Sequence, residues 1–147
     1  MNVKITVCYD GSVYKGSQKQ PDKSSVEDKL MEAFLSLNIN SKIIFSGRTD
    51  KDVHATGQVF NIHIPSYWTN FDKLKMVLNR YLPDSIKILR IQNVADDFHA
   101  RFWAKKRVYR YLITTKPTNP FNSKFVTYVP SLNENLISQA IKCFEGE

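Results

Sequence analysis

Between Val3 and Ile91 two hydrophobic periods take turns, and their order leaves few architectures open. Val3, Ile5, Val7 and Tyr9 alternate with Lys4, Thr6 and Cys8, the period-two pattern of a strand with one buried face. Asp10–Lys23 carries Gly11, Gly16 and Pro21 and is predicted as a long loop. Val26, Leu30, Phe34 and Leu37 then recur at helical spacing, behind a Ser24–Glu27 pair that reads as a capping box. Ile43–Phe45 begins a second strand, and Gln58–Ile64 makes a third. Phe71, Leu74, Leu78 and Tyr81 form the stripe of a second helix, capped by Thr69 or Asn70. Pro83-Asp84 ends it, and Ile86, Ile88 and Ile91 mark a fourth strand. Strand, helix, strand, strand, helix, strand is the split βαβ, ferredoxin-like order. The fold class expected is therefore α+β, an antiparallel sheet with helices on one face. Further on, Val108–Thr114 is predicted as another strand, and Leu136, Ile137, Ala140, Ile141 and Phe144 as the stripe of a terminal helix.

Charge and residue usage narrow the function. Lys and Arg number 21 against 14 Asp and Glu, a formal charge of +7, which fits a polyanionic partner. No apolar run approaches the roughly 20 residues that span a bilayer, so no membrane association is expected. Met1–Val7 lacks the unbroken apolar stretch of a signal peptide, and a cytoplasmic protein is expected. Cys8 and Cys143 lie too far apart in sequence to frame a small disulfide scaffold. His54, His63 and His99 lack metal-site spacing. Neither GxxxxGK[ST] nor GxGxxG occurs, so neither a metal nor an organic cofactor is expected.

Three segments can carry chemistry. Phe98–Tyr111 holds five basic residues (Arg101, Lys105, Lys106, Arg107 and Arg110), five aromatics and no acid. Guanidinium and ammonium groups grip phosphates, and aromatic rings stack on unpaired bases, so the mixture suits looped or single-stranded RNA. The same residues would also make an ordinary edge strand with its charges outward. In the second segment, Ser46–Gln58, Gly47 and Gly57 bracket Arg48-Thr49-Asp50. Arg48 and Asp50 can reach one another there, which would keep the carboxylate ionised and oriented as nucleophile or base; a solvated turn is the alternative. The third segment, Tyr9–Gln20, could line an RNA groove or be a plain surface loop.

Tyr9-Asp10-Gly11-Ser12 with Gly16, Gln18 and Gln20 is the first of three matching motifs. Gly47-Arg48-Thr49-Asp50 with Val53-His54-Ala55 and Gly57-Gln58-Val59 is the second. Asp97-Phe98-His99-Ala100-Arg101-Phe102 with Tyr109-Arg110-Tyr111 is the third. In this order the three resemble the TruA-type tRNA pseudouridine synthases. The resemblance covers essentially the whole chain but only about the first half of such an enzyme. It implies that residues 1–147 are the N-terminal domain, with the C-terminal half absent, and that this domain alone is inactive. It further implies isomerisation of uridine to pseudouridine at positions 38–40 of the tRNA anticodon stem-loop, by a cytoplasmic homodimer needing no cofactor and no metal. Carried across, Asp50 is the catalytic carboxylate, Arg48 the arginine that pairs with it, and Tyr109 the ring on the target base. Arg101, Lys105, Lys106, Arg107, Arg110, His54 and Gln58 are the remaining candidates for substrate binding. The sequence departs from the family at Ser17, usually aromatic, and at Lys51-Asp52, usually Ala-Gly; Asp52 is expected to face solvent. A non-catalytic RNA-binding module is the alternative from another class, and a purely structural ferredoxin-like fragment is a third.

Overall fold

The computed structural model describes residues 1–146 and falls into two units, 1–107 and 108 onward. The first contains strands β1 (Asn2–Tyr9), β2 (Ile44–Phe45), β3 (Ala55–His63) and β4 (Ile86–Asn93). They form one antiparallel sheet in the order β2-β3-β1-β4. Helices α1 (Val26–Leu35) and α2 (Phe71–Tyr81) complete the strand–helix–strand–strand–helix–strand series. This is the α+β, ferredoxin-like arrangement that the alternating periods imply.

The core follows from those periods. Val3, Ile5, Val7 and Tyr9 of β1 are buried in one cluster with Phe60 and Ile62 of β3 and Ile86, Ile88 and Ile91 of β4. Val26, Leu30 and Phe34 of α1 and Leu74 and Leu78 of α2 belong to the same cluster. At roughly 1.5–3 kcal/mol per fully buried aliphatic or aromatic side chain, this one face supplies most of the driving force for the unit. The outer positions of β1, Lys4, Thr6 and Cys8, are only partly buried. Between the pairs Val7↔Gln58 and Tyr9↔Ala55 the register shifts, so β3 carries one residue more than β1 there. That bulge bends the strand as it leaves the loop ahead of it.

A buried polar network anchors the chain beyond β4. Asn2 Nδ2 lies 3.2, 3.3 and 2.9 Å from the carbonyls of Ala95, Asp96 and Phe98. Asn61 donates to Asn2 Oδ1 (3.1 Å) and accepts the Ala100 N–H (2.9 Å). Two strand asparagines thereby hold the start of the basic–aromatic segment.

The capping box sits one residue later than Ser24–Glu27. Ser25 is the N-cap: its Oγ accepts the Asp28 N–H at 3.1 Å, and the Asp28 carboxylate accepts the Ser25 N–H at 3.1 Å. Ser24 instead donates to Asp22, and Glu27 accepts the Lys19 N–H. Burial works against ionisation of Asp28, but hydrogen bonds from the Ser25 hydroxyl and the Gln20 and Ser25 amides outweigh it and lower its pKa. A lowered folded-state pKa stabilises fully above the unfolded value of about 3.9, and the gain is lost as pH falls through the folded one. Asp28→Asn is therefore expected to cost about 1–2 kcal/mol at pH 7 and to reduce the loss of stability on acidification. Denaturant midpoints from pH 7 to pH 3 measure both; an acid limb as steep as that of wild type would contradict the assignment.

In the second unit, β5 (Ile113–Thr114) pairs in parallel with β6 (Thr127–Tyr128). A third helix, α3 (Glu134–Ile141), runs into a 3₁₀ turn at 142–144. The strand expected over Val108–Thr114 is thus confined to its last two residues. A ladder forms only where a partner strand lies alongside, and here that partner is just two residues long. The terminal helix forms where the stripe predicts, with Leu136, Ile137, Ile141 and Phe144 exposed. No helix among the described residues is long and apolar enough to cross a membrane.

Candidate active site

The site is built outward from the N-terminus of α1. The first turn of a helix has amides without intrahelical acceptors, and here two of them are used by the preceding loop. Val26 N–H donates to the Gly16 carbonyl (3.2 Å) and Glu27 N–H to the Ser17 carbonyl (3.0 Å). The Lys15 ammonium and then the Ser24 hydroxyl hold the exposed Asp22 carboxyl down at about 2, and these contacts close the far side of the loop. Residues 16 and 17 are thereby fixed in place.

Ser17 in turn grips Thr49. Its N–H donates to the Thr49 carbonyl at 2.9 Å, and its Oγ accepts the Thr49 N–H at 2.8 Å. Gly16 has φ +93°, and a Cβ on it would lie 2.9 Å from the Thr49 carbonyl oxygen, so the approach requires glycine. On the other side, the Thr49 hydroxyl is 2.7 Å from the Tyr9 hydroxyl at the end of β1. Thr49 is thus held by both backbone groups and by its side chain. Its neighbours Arg48 and Asp50 are exposed. In extended chain, adjacent residues project to opposite sides, so fixing Thr49 inward presents Arg48 and Asp50 outward. Among the described residues no ion pair joins Arg48 to Asp50.

The two ends of this loop are held separately. At its start, Ser46 donates its N–H to Val59 (2.8 Å) and its hydroxyl to Gln58 Oε1 (2.8 Å). Gln58 Nε2 donates to the Gly47 carbonyl (3.0 Å) and Oε1 accepts the Val59 N–H (3.0 Å), so this carboxamide shapes the loop. At its end, His54 is half-buried, with Nδ1 3.1 Å from the Gly11 N–H and 3.1 Å from Asp10 Oδ1. Between them, Lys51 and Asp52 are exposed and lie 3.9 Å apart. Asp52 has φ +65°, the left-handed region that glycine enters without strain and that Asp tolerates better than most residues. Its carboxylate faces solvent, as expected.

The basic–aromatic segment divides. Arg101, Lys105 and Lys106 are exposed in the first unit. Arg107, the last residue of that unit, points its guanidinium at two backbone carbonyls: Nε and Nη2 lie 3.0 and 2.6 Å from the oxygen of Ser46, and Nη2 3.0 Å from that of Arg101. Tyr109 and Arg110 belong to the second unit, where both are exposed, Tyr109 by 62%. Within the first unit, Arg48, Asp50 and His54 share one loop, and Gln58 on β3 holds its start. No local pattern marks Thr49, Ser17, Tyr9 or Ser46 as the residues that hold the loop. Thr49 and Tyr9 do stand within the matching motifs of the sequence, and Ser17 is one of its departures.

An exposed carboxylate next to an exposed guanidinium, on a backbone fixed at every third residue or closer, can act on a substrate that enters from solvent. It can serve as nucleophile or base, with the cation beside it for a developing anion. Among the described residues no three His, Cys, Asp or Glu side chains gather as a metal site.

Residues 5–103 match the family model described as tRNA pseudouridine synthase. A tRNA pseudouridine synthase A of Helicobacter pylori (strain P12) is 40% identical over 144 residues, covering 98% of this chain and 58% of that protein. The protein of that name from Campylobacter jejuni subsp. jejuni serotype O:6 is 36% identical over 147 residues, 100% of this chain and 61% of its own length. Its namesake in Phytoplasma mali (strain AT) is 37% identical over 148 residues, with coverages of 99% and 60%. The chain spans about three fifths of the length of these relatives.

Proposed function

The chain belongs to the tRNA pseudouridine synthase family, and on that premise we propose that it is the N-terminal part of an enzyme converting uridine to pseudouridine in the tRNA anticodon stem-loop. Asp50 is its catalytic carboxylate. The observation that supports this most is the immobilised Thr49, with Arg48 and Asp50 exposed on either side. RNA binding alone needs cations and rings; it does not need an acid held rigidly at the surface.

The reaction breaks the bond from N1 of uracil to C1′ of ribose, turns the base, and joins C5 to C1′. The proton on C5 is lost and N1 gains one. The base must leave the helical stack first. Asp50 fits three roles: adding to the base, attacking C1′, or removing a sugar proton. Arg48 holds the extruded base out of the stack, and the ring of Tyr109 packs against it. Lys105 and Lys106, with Arg101 and Arg110, contact tRNA phosphates, while His54 and Gln58 shape the substrate side of the loop. The full-length enzyme acts in the cytoplasm as a homodimer, and residues 1–147 alone do not turn over.

Binding across a salt series separates these roles. In the full-length protein, Lys105→Gln with Lys106→Gln should flatten the log–log salt dependence of tRNA affinity by about 0.7–0.9 per phosphate contact removed. Tyr109→Leu should weaken binding by about 1–3 kcal/mol with the slope unchanged. A flattened slope for Tyr109→Leu would put that residue on the backbone and remove it from the base. Tight tRNA binding without pseudouridine formation by the wild-type enzyme would favour an RNA-binding module instead.

A further inference from the structure

We propose that Arg107 is a positioning residue: it holds the Arg48–Asp50 loop through the Ser46 carbonyl and is not a phosphate contact. This rests on the synthase reading. A guanidinium has five N–H donors, and its Nε/Nη2 edge is the fork that takes a phosphate or carboxylate in bidentate fashion. In Arg107 that edge is occupied. Both of its nitrogens aim at the Ser46 oxygen, at 3.0 and 2.6 Å, and Nη2 also reaches the Arg101 oxygen at 3.0 Å.

Ser46 directly precedes Gly47-Arg48-Thr49-Asp50. Its N–H and hydroxyl are already engaged, by Val59 and Gln58, and Arg107 engages its carbonyl. All three polar groups of one residue are thus held, and Arg107 supplies the hold furthest away in sequence, 61 residues on. Together with the Ser17–Thr49 pair, this fixes the loop on both sides of Arg48. The neighbouring Lys105 and Lys106 make no such contacts and stay exposed. All three cations of this run are exposed, and Arg107 alone among them hydrogen-bonds the loop.

Lysine keeps the charge of Arg107 but has a single rotatable ammonium and no planar fork. If Arg107 positions the loop, Arg107→Lys in the full-length enzyme lowers kcat by about tenfold to a hundredfold, as a small misplacement of a reacting group does, with KM and tRNA affinity nearly unchanged. Arg107→Gln lowers kcat similarly and leaves the salt slope of binding at its wild-type value. A phosphate contact would show the reverse: Arg107→Lys near wild type, and Arg107→Gln with a slope flatter by about 0.7–0.9. That pattern overturns the proposal. Hydrogen exchange supplies a readout free of activity. The Ser46 and Thr49 amides should exchange several-fold faster in Arg107→Lys, and unchanged exchange also overturns it. If the wild-type enzyme makes no pseudouridine, the synthase reading fails by itself, and the exchange measurement still decides the role of Arg107.

Discussion

Asp50→Asn is expected to lower pseudouridine formation by the full-length enzyme at least about a thousandfold while tRNA affinity stays within about twofold of wild type. The substitution keeps the size and shape of the side chain and removes its charge, and with it the capacity to attack a carbon or accept a proton. The fold gives no reason for collateral damage. The Asp50 side chain is exposed, and among the described residues it joins no ion pair; only its backbone carbonyl is used, by the Val53 N–H at 3.3 Å. A variant with unchanged tRNA binding and no product would therefore report on chemistry alone. One retaining a tenth or more of the wild-type rate would remove Asp50 from the mechanism.

Gly11→Ala should produce the largest structural effect. A Cβ at Gly11 would lie 2.0 Å from the Val53 carbonyl oxygen, 2.5 Å from its carbon and 3.1 Å from the His54 nitrogen. All three are backbone atoms, so no side chain can swing aside. The segment after Asp50 must move, and the Gly11 N–H must leave His54 Nδ1. Overpacking of this kind costs about 1–3 kcal/mol or more, and displacing the loop by about 1 Å lowers turnover on the order of a hundredfold. Gly57→Ala is the contrasting case, because the nearest atom to its Cβ would be Thr6 Cγ2 at 4.0 Å. Chemical denaturation and turnover of both variants measure the difference. Equal stability of the two would mean that the 11–53 contact is looser than its geometry.

That pair also shows what could be read from the chain and what could not. Gly47 and Gly57 attract attention because they bracket the charged loop, yet the tightest approach is at Gly11, about 40 residues before it in sequence. The sheet and both helices of the first unit were legible because each buries a regular stripe, which leaves a period in the local sequence. Arg48 and Asp50 were legible as two charges in a loop between strands, but among the described residues the ion pair expected between them does not form. The residues that hold them were not legible. Thr49 meets Ser17 across 32 positions and Tyr9 across 40, and Ser46 meets Arg107 across 61. Contacts of that span leave no periodic trace, and a buried serine in a loop looks like any other. Arg107 is the clearest example: composition groups it with Lys105 and Lys106, and only its partner separates it. The expected strand at Val108–Thr114 failed for a related reason, since alternation records a chain able to pair and does not record whether a partner is present.

The most direct test of the account is site-resolved mapping of pseudouridine in a tRNA incubated with the full-length enzyme, wild type beside Asp50→Asn. Pseudouridine in the anticodon stem-loop with the wild type, and none with Asp50→Asn, is the predicted result. No product from the wild type, product confined to another arm of the tRNA, or equal product from both proteins would contradict it.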